Sequence, residues 1–239
     1  MEVHQHTHTA RKKWTHYFWE FFMMFAAISA SFFVENQREH YVERIKERQY
    51  MTSMLADLKS DSILLSSYIV RNDNLMKGQD TLFALLKNFH NDIASTKEFY
   101  RLFYGYATWV LRARLADRTI SQLKNSGGMR LIHVQVISDS ILVYEEKKKL
   151  LVDQGEGYKR ENDVLTDLSR KMLDYQYFWP LNIDAINSKL NFNPTQLFEF
   201  ANSVKILKDQ IETYIGYMDE LLGRASNIIT LIQKHYHLK

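Results

Sequence analysis

The sequence predicts an all-α protein, with one N-terminal transmembrane helix continuing into a long-helix bundle. Three observations carry this expectation. The 239 residues include only 8 Gly and 2 Pro, too few for a many-stranded β protein, whose turn residues recur every ten or so positions. Apolar residues return every three or four positions over long stretches, which is the period of a helix face. Residues 17–34 read YFWEFFMMFAAISASFFV, with Glu20 as their one charge.

Composition narrows the class further. With 46% apolar and 25% charged residues and a formal net charge of +3, the chain is neither collagen-like nor of disordered type. The absence of Cys excludes a disulfide scaffold, a thiol nucleophile and a thiolate zinc site.

Residues 14–34 form the expected span. The 18 residues from Tyr17 to Val34 make about 27 Å of helix, close to the roughly 30 Å hydrocarbon thickness. Trp14 and Tyr17 begin an aromatic belt at the entry side. A secretory signal with Arg11, Lys12 and Lys13 as its basic region is the rival. However, no small-residue cleavage site in a helix-breaking context follows, because Val34 runs directly into Glu35, Asn36, Gln37 and Arg38. A buried core helix is disfavoured because Phe21–Phe33 offers no polar face. Lys and Arg nearly balance across the span. The tight Arg11–Lys13 cluster favours a cytoplasmic tail at 1–13 and an exported domain at 35–239.

Within the span, His16, Glu20, Met24, Ala27 and Ser31 fall on one helical stripe. Ala26 with Ala30, and Ala27 with Ser31, are small-xxx-small pairs that let helices approach closely in lipid. This face is expected to contact another helix, and the Phe- and Met-rich remainder faces lipid. Glu20 lies about one turn inside the membrane, where three roles are open to it. It can snorkel or take a proton, join an interface hydrogen bond, or serve with His16 in an oligomeric ion or proton path.

Beyond the span the helical spacing continues through Val42, Ile45, Met51, Met54, Leu55, Leu58 and Leu65 to about residue 89. Glu35, Glu39, Glu43 and Glu47 repeat every four residues among Arg38, Arg44, Lys46 and Arg48, as on a solvated stalk or against a basic partner. Residues 90–97 read as a loop and Glu98–Arg114 as a short aromatic-rich helix. Thr119 and Gln122 have capping-box spacing for a short helix that ends at Gly127 and Gly128. A long helix is expected from His133 to Tyr175, weak or kinked at Gly155 and Gly157, with an aromatic turn over 175–180. Asn193, Pro194 and Gln196 then start a last helix to about Tyr236, whose stripe includes Leu207, Ile211, Ile215, Leu222 and Ile229.

No catalytic constellation emerges. The chain has no P-loop, no dinucleotide fingerprint, no nucleophile elbow, and no Glu with His three residues later. Asp57, Asp61, Asp139 and Glu145 read as solvated faces, and the aromatic residues at 99–109 as core. His4, His6 and His8, with His235 and His237, lie in tails that impose no metal geometry. The expectation is no enzyme, no cofactor, no bound metal and no nucleic acid. The expected partners are the lipid bilayer and either further copies of the chain or another membrane protein.

Two segments, Ile28–Glu39 and Arg48–Asp61, together with the Leu-Lys-x-Ser-Gly-x-x-x-Leu-Ile pattern inside Thr119–Ile132 and the Asn193–Pro194 helix start, resemble an uncharacterised family of single-span envelope proteins from Bacteroidota. The similarity extends in order across most of residues 18–235. It implies a bacterial inner-membrane anchor with a helical periplasmic domain and no known activity. Glu20 matches that family's acidic residue near the start of its span, whereas the Phe- and Met-rich span and the His-containing tail depart from its pattern. A membrane scaffold or sensor is the first reading of function and a homo-oligomeric channel the second.

Overall fold

A computed structural model describes residues 14–178 and 181–238. The His-rich N-terminal tail, the Arg11–Lys13 cluster and the end of the aromatic turn lie outside the described residues. The described chain is all-α. Its helices are α1 (Trp14–Lys87), α2 (Ile93–Tyr106), α3 (Arg118–Asn125), α4 (Gln135–Met172) and α5 (Pro194–Tyr236). Two compact units divide it, Met1–Gln49 and Tyr50–Lys239.

The second unit is a bundle of α4, α5 and the part of α1 from residue 50, with α2 and α3 inserted. Each long helix carries a heptad seam. In α1 it runs through Met51, Met54, Leu58, Asp61, Leu65, Tyr68, Asn72, Leu75, Gln79, Leu82 and Leu86, at steps of three and four. In α4 the same rhythm holds from Ile137 and Ile141 to Ser169 and Met172. In α5 it holds from Phe200 to Ile232. A sustained 3.5-residue period is the pattern of helices that wrap left-handedly with knobs in holes. This corrects one detail of the expected α5 stripe. Tyr214, Leu221 and Ile228 are the buried positions, and Ile215, Leu222 and Ile229 only flank them.

Side-chain pairs fix the directions of the helices. Asp80 with Lys208 (2.6 Å) and Asn72 with Met218 set α1 antiparallel to α5. Lys147 with Glu220 (3.1 Å) and Gln154 with Gln210 do the same for α4 and α5. Asp61 with Tyr144 and Gln79 with Tyr158 show that α1 and α4 run parallel. A parallel neighbour cannot be reached by a short turn, so residues 88–134 must return along the bundle. Helix α2, the non-helical residues 107–117, and α3 make that return.

Several boundaries differ from the sequence reading for local reasons. Helix α2 starts earlier because Asp92 caps it, its carboxylate accepting the Ser95 N–H at 2.7 Å. It stops at Tyr106 rather than near residue 114. The Thr119–Gln122 capping box does not form. Thr119 lies inside α3 and its N–H reaches across to Asp57 Oδ2 at 3.3 Å. Helix α4 passes Gly155 and Gly157 unbroken. A Cβ at Gly155 would sit 3.3 Å from the Leu111 carbonyl, so this glycine makes room for the returning chain. Gly127 takes φ +67° after α3, as a C-terminal glycine should. The Asn193–Gln196 capping box forms with both hydrogen bonds at 2.9 Å, and Pro194 follows.

Gly78 generates a direct test. A Cβ there would lie 2.1 Å from the Tyr106 ring, whereas one at Gly216 meets nothing within 4 Å. Gly78→Ala should therefore destabilise the bundle by about 3 kcal/mol, in the range of overpacked cores. Gly216→Ala should stabilise it by roughly 0.5–1 kcal/mol through helix propensity. Thermal unfolding of the full chain in detergent micelles, followed by far-UV circular dichroism, reads both changes.

Candidate functional site

The predicted membrane face belongs to the first unit. Every described residue from Trp14 to Tyr41 is exposed, and Phe32 keeps 74% of its surface. Among the described residues, α1 is the one helix long and apolar enough to cross a membrane, and none of its most apolar window is buried. On one face His16 Nε2 meets Glu20 Oε1 at 2.9 Å, an i to i+4 contact that pairs the two ionisable side chains of the apolar segment within their own helix. One turn beyond Ala27, the Ser31 hydroxyl donates to the Ala27 carbonyl at 2.9 Å. This back-bonding removes its polar hydrogen from the surrounding medium. Met24, Ala26 and Ala30 are exposed, with no described side chain covering them. Elsewhere on this segment the rings stack at steps of four, Trp14 on Phe18, Phe18 on Phe22, and Phe21 on Phe25.

After the apolar segment, Arg38 grips Glu35 through two nitrogens and holds its carboxyl below the usual range. His40 lies 3.7 Å from Glu43. These pairs offset the acidic ladder as the sequence suggests. Glu47 departs from the expected solvated stalk, being 5% exposed.

The sequence reading missed a polar system inside the bundle. Asp61, read there as a solvated group, is 1% exposed. Its two oxygens accept the Ala116 N–H at 2.7 Å and the Tyr144 hydroxyl at 2.9 Å. Lys148 donates to the Ala116 carbonyl, so both sides of that peptide are held. Farther along, Gln79 donates to the Tyr106 carbonyl at 3.0 Å and Asn162 to the Ala107 carbonyl at 2.8 Å. The Ala113 backbone is hydrogen-bonded to the Tyr214 hydroxyl. Residues 106–116 lack helical partners for these groups, and buried backbone groups require partners. The polar side chains at heptad positions supply them. The signal that could have revealed them was the phase of Asp61, Asn72 and Gln79 with the leucines of α1.

Burial shapes the titration of this system. Desolvation raises the Asp61 carboxyl, opposed by its bonds from Ala116 and Tyr144 and by the charge of Lys148. Burial pushes the Tyr158 and Tyr214 phenols up to about 12. The Tyr144 phenol is raised further, by burial and then by the charge of Asp61. The three phenols are therefore neutral at physiological pH, with Tyr144 donating to Asp61 and Tyr158 accepting from Gln79. Among the described residues, no three His, Asp or Glu side chains are grouped to hold a metal ion.

These features define a class, a helix of membrane-spanning length and composition joined to a three-helix bundle with a polar-pinned crossover. Comparison with protein-family models, with curated proteins and with solved structures gives no match.

The Asp61 environment yields a signed pH prediction. Its folded pKa is raised, so between the ordinary Asp value of about 3.9 and the folded value the native state holds more protons than the unfolded state. Its contribution to stability is present below that window and is lost as pH rises through it. Asp61→Asn removes this slope. The melting temperature of wild type relative to the variant should fall as pH is raised from the acid side toward neutrality. Parallel melting curves with pH would contradict the assignment.

Proposed function

We propose that the chain is a non-enzymatic helical scaffold or sensor anchored in a bacterial inner membrane. In this reading its N-terminus is cytoplasmic and its bundle periplasmic. It assembles with itself or with a membrane partner through the His16, Glu20, Met24, Ala27 and Ser31 face. The observation that carries this is the continuous exposed apolar surface over residues 14–34. Contiguous apolar patches on soluble monomers rarely exceed about 600 Å², and a helix ringed by Phe, Trp and Met has lipid as its natural solvent. Within that surface the small residues provide the one side on which another helix can approach closely. The resemblance to single-span envelope proteins points the same way.

A second reading is a homo-oligomeric ion or proton conduit, favoured by the 2.9 Å His16–Glu20 pair. It requires several copies, since one helix cannot enclose a path.

Two measurements on cells expressing the full chain test the anchor. Alkaline carbonate should leave the protein in the membrane pellet. An alkaline phosphatase fused after Lys239 should be active, and a green fluorescent protein fused at the same place dark. Release by carbonate would overturn the anchor, and the opposite reporter pattern would reverse the orientation. For the conduit, purified wild type in planar bilayers should conduct and Glu20→Gln should reduce the current about tenfold or more, as loss of a charged path residue implies. Equal currents would reject it.

A further inference from the structure

A cavity of about 170 Å³ lies within the second unit, where α1, the last turn of α2 and the start of the returning chain meet. Its origin is local. Gly105 carries no side chain, and a Cβ there would meet nothing within 4 Å. Helix α2 then ends at Tyr106, so no further turn fills the space. Leu75 and Leu111 form the buried side of the cavity, and Tyr106 and Trp109 supply ring surface. Trp109 is 52% exposed, yet its indole N–H donates to the Gly105 carbonyl at 2.7 Å, so the ring is held in place without being covered. The volume is below the roughly 300–1,000 Å³ of drug-sized sites and close to the ~150 Å³ that takes one benzene ring.

The lining carries one charge, that of Arg71, and no acidic residue. Arg71 is exposed and stacks over the Tyr68 ring at 5.2 Å. Stacking occupies the flat face of a guanidinium and leaves the N–H donors at its edge available. Among the described residues no carboxylate pairs with it. The two acids that follow it on α1, Asp73 and Asp80, are held by Lys77 and Lys208 at 2.6 Å each. Asn74, one turn on and also exposed, adds an amide to the same rim. Arg112, directly after Leu111, is a further exposed cation. An apolar hollow of one-ring size with an unpaired guanidinium at its rim suits a ligand with a flat apolar body and a single negative charge. The guanidinium fork matches a carboxylate through two parallel N–H···O bonds. An ammonium finds no acid in the lining, and a nucleotide exceeds the volume.

We propose that this cavity binds a small aromatic monocarboxylate of benzoate or phenylacetate size, with Arg71 holding the carboxylate and Tyr106 and Trp109 flanking the ring. The site is built wholly from residues of the bundle. Its test depends on neither anchoring nor assembly, and a negative result leaves the membrane reading standing.

The test is isothermal titration calorimetry on the full-length protein in detergent micelles, with protein-free micelles as the background. The probes are benzoate and phenylacetate, with benzamide lacking the charge and acetate lacking the ring. At least one aromatic carboxylate should bind with Kd of about 1 mM or below, and benzamide and acetate about tenfold or more weaker. Arg71→Gln should bring the aromatic carboxylate to the level of benzamide. Trp109→Ala should weaken it about threefold or more through lost ring contact. Both side chains are exposed, so both variants keep the fold, which an unchanged far-UV circular dichroism melting curve checks. The proposal is overturned if neither aromatic carboxylate binds, if benzamide or acetate binds as tightly, or if either variant leaves carboxylate binding unchanged.

Discussion

The bundle depends on one constraint, that α1 and α4 run parallel and the chain must return between them. The return crosses apolar surface as non-helical backbone, and its amides and carbonyls cannot be left without partners. Asp61, Gln79, Asn162 and Tyr214 meet that need from positions that a heptad pattern would otherwise give to aliphatic residues, and Tyr144 holds Asp61 in place. Gly78 and Gly155 meet the steric half of the same need, Gly78 admitting the Tyr106 ring where a Cβ would collide and Gly155 the Leu111 carbonyl where a Cβ would be tight. The polar seam therefore makes the α1–α4 pairing specific. An all-apolar seam would gain burial but would not define where the crossover lies.

The first unit obeys a different solvent logic. Its described surface up to Tyr41 is exposed, and aromatic stacking along the helix replaces tertiary packing. Two polar contacts close within the apolar segment, His16 with Glu20 and the Ser31 hydroxyl with the Ala27 carbonyl. In a bilayer such local satisfaction would lower the penalty of burying these groups. A scaffold that assembles through close helix contact and a path that passes protons both begin from this arrangement.

Much of the fold was legible in the sequence. Scarcity of Gly and Pro and long 3–4 spacing gave the all-α class, and the Asn193–Gln196 cap gave the start of α5 within a residue. The exposed apolar helix over residues 14–34 was legible because length and residue type alone mark it. What was hidden depended on tertiary partners. Thr119 carries a capping signature but is overridden by Asp57 of α1, and Asp61 looks solvated until Ala116 and Tyr144 are seen around it. Gly155 and Gly157 looked like a break because the close approach of the Leu111 carbonyl has no local signal.

We propose that the His16–Ser31 face contacts another helix inside the membrane, and crosslinking tests this most directly. The chain has no Cys, so single cysteines can be introduced without background. Oxidative or maleimide crosslinking in native membranes should give a discrete adduct from Ala27→Cys and Ser31→Cys, with the chain itself or with one partner. It should give none from Phe25→Cys and Phe32→Cys on the lipid-facing remainder. Adducts absent from all four positions, or equally strong at all four, would contradict the claim.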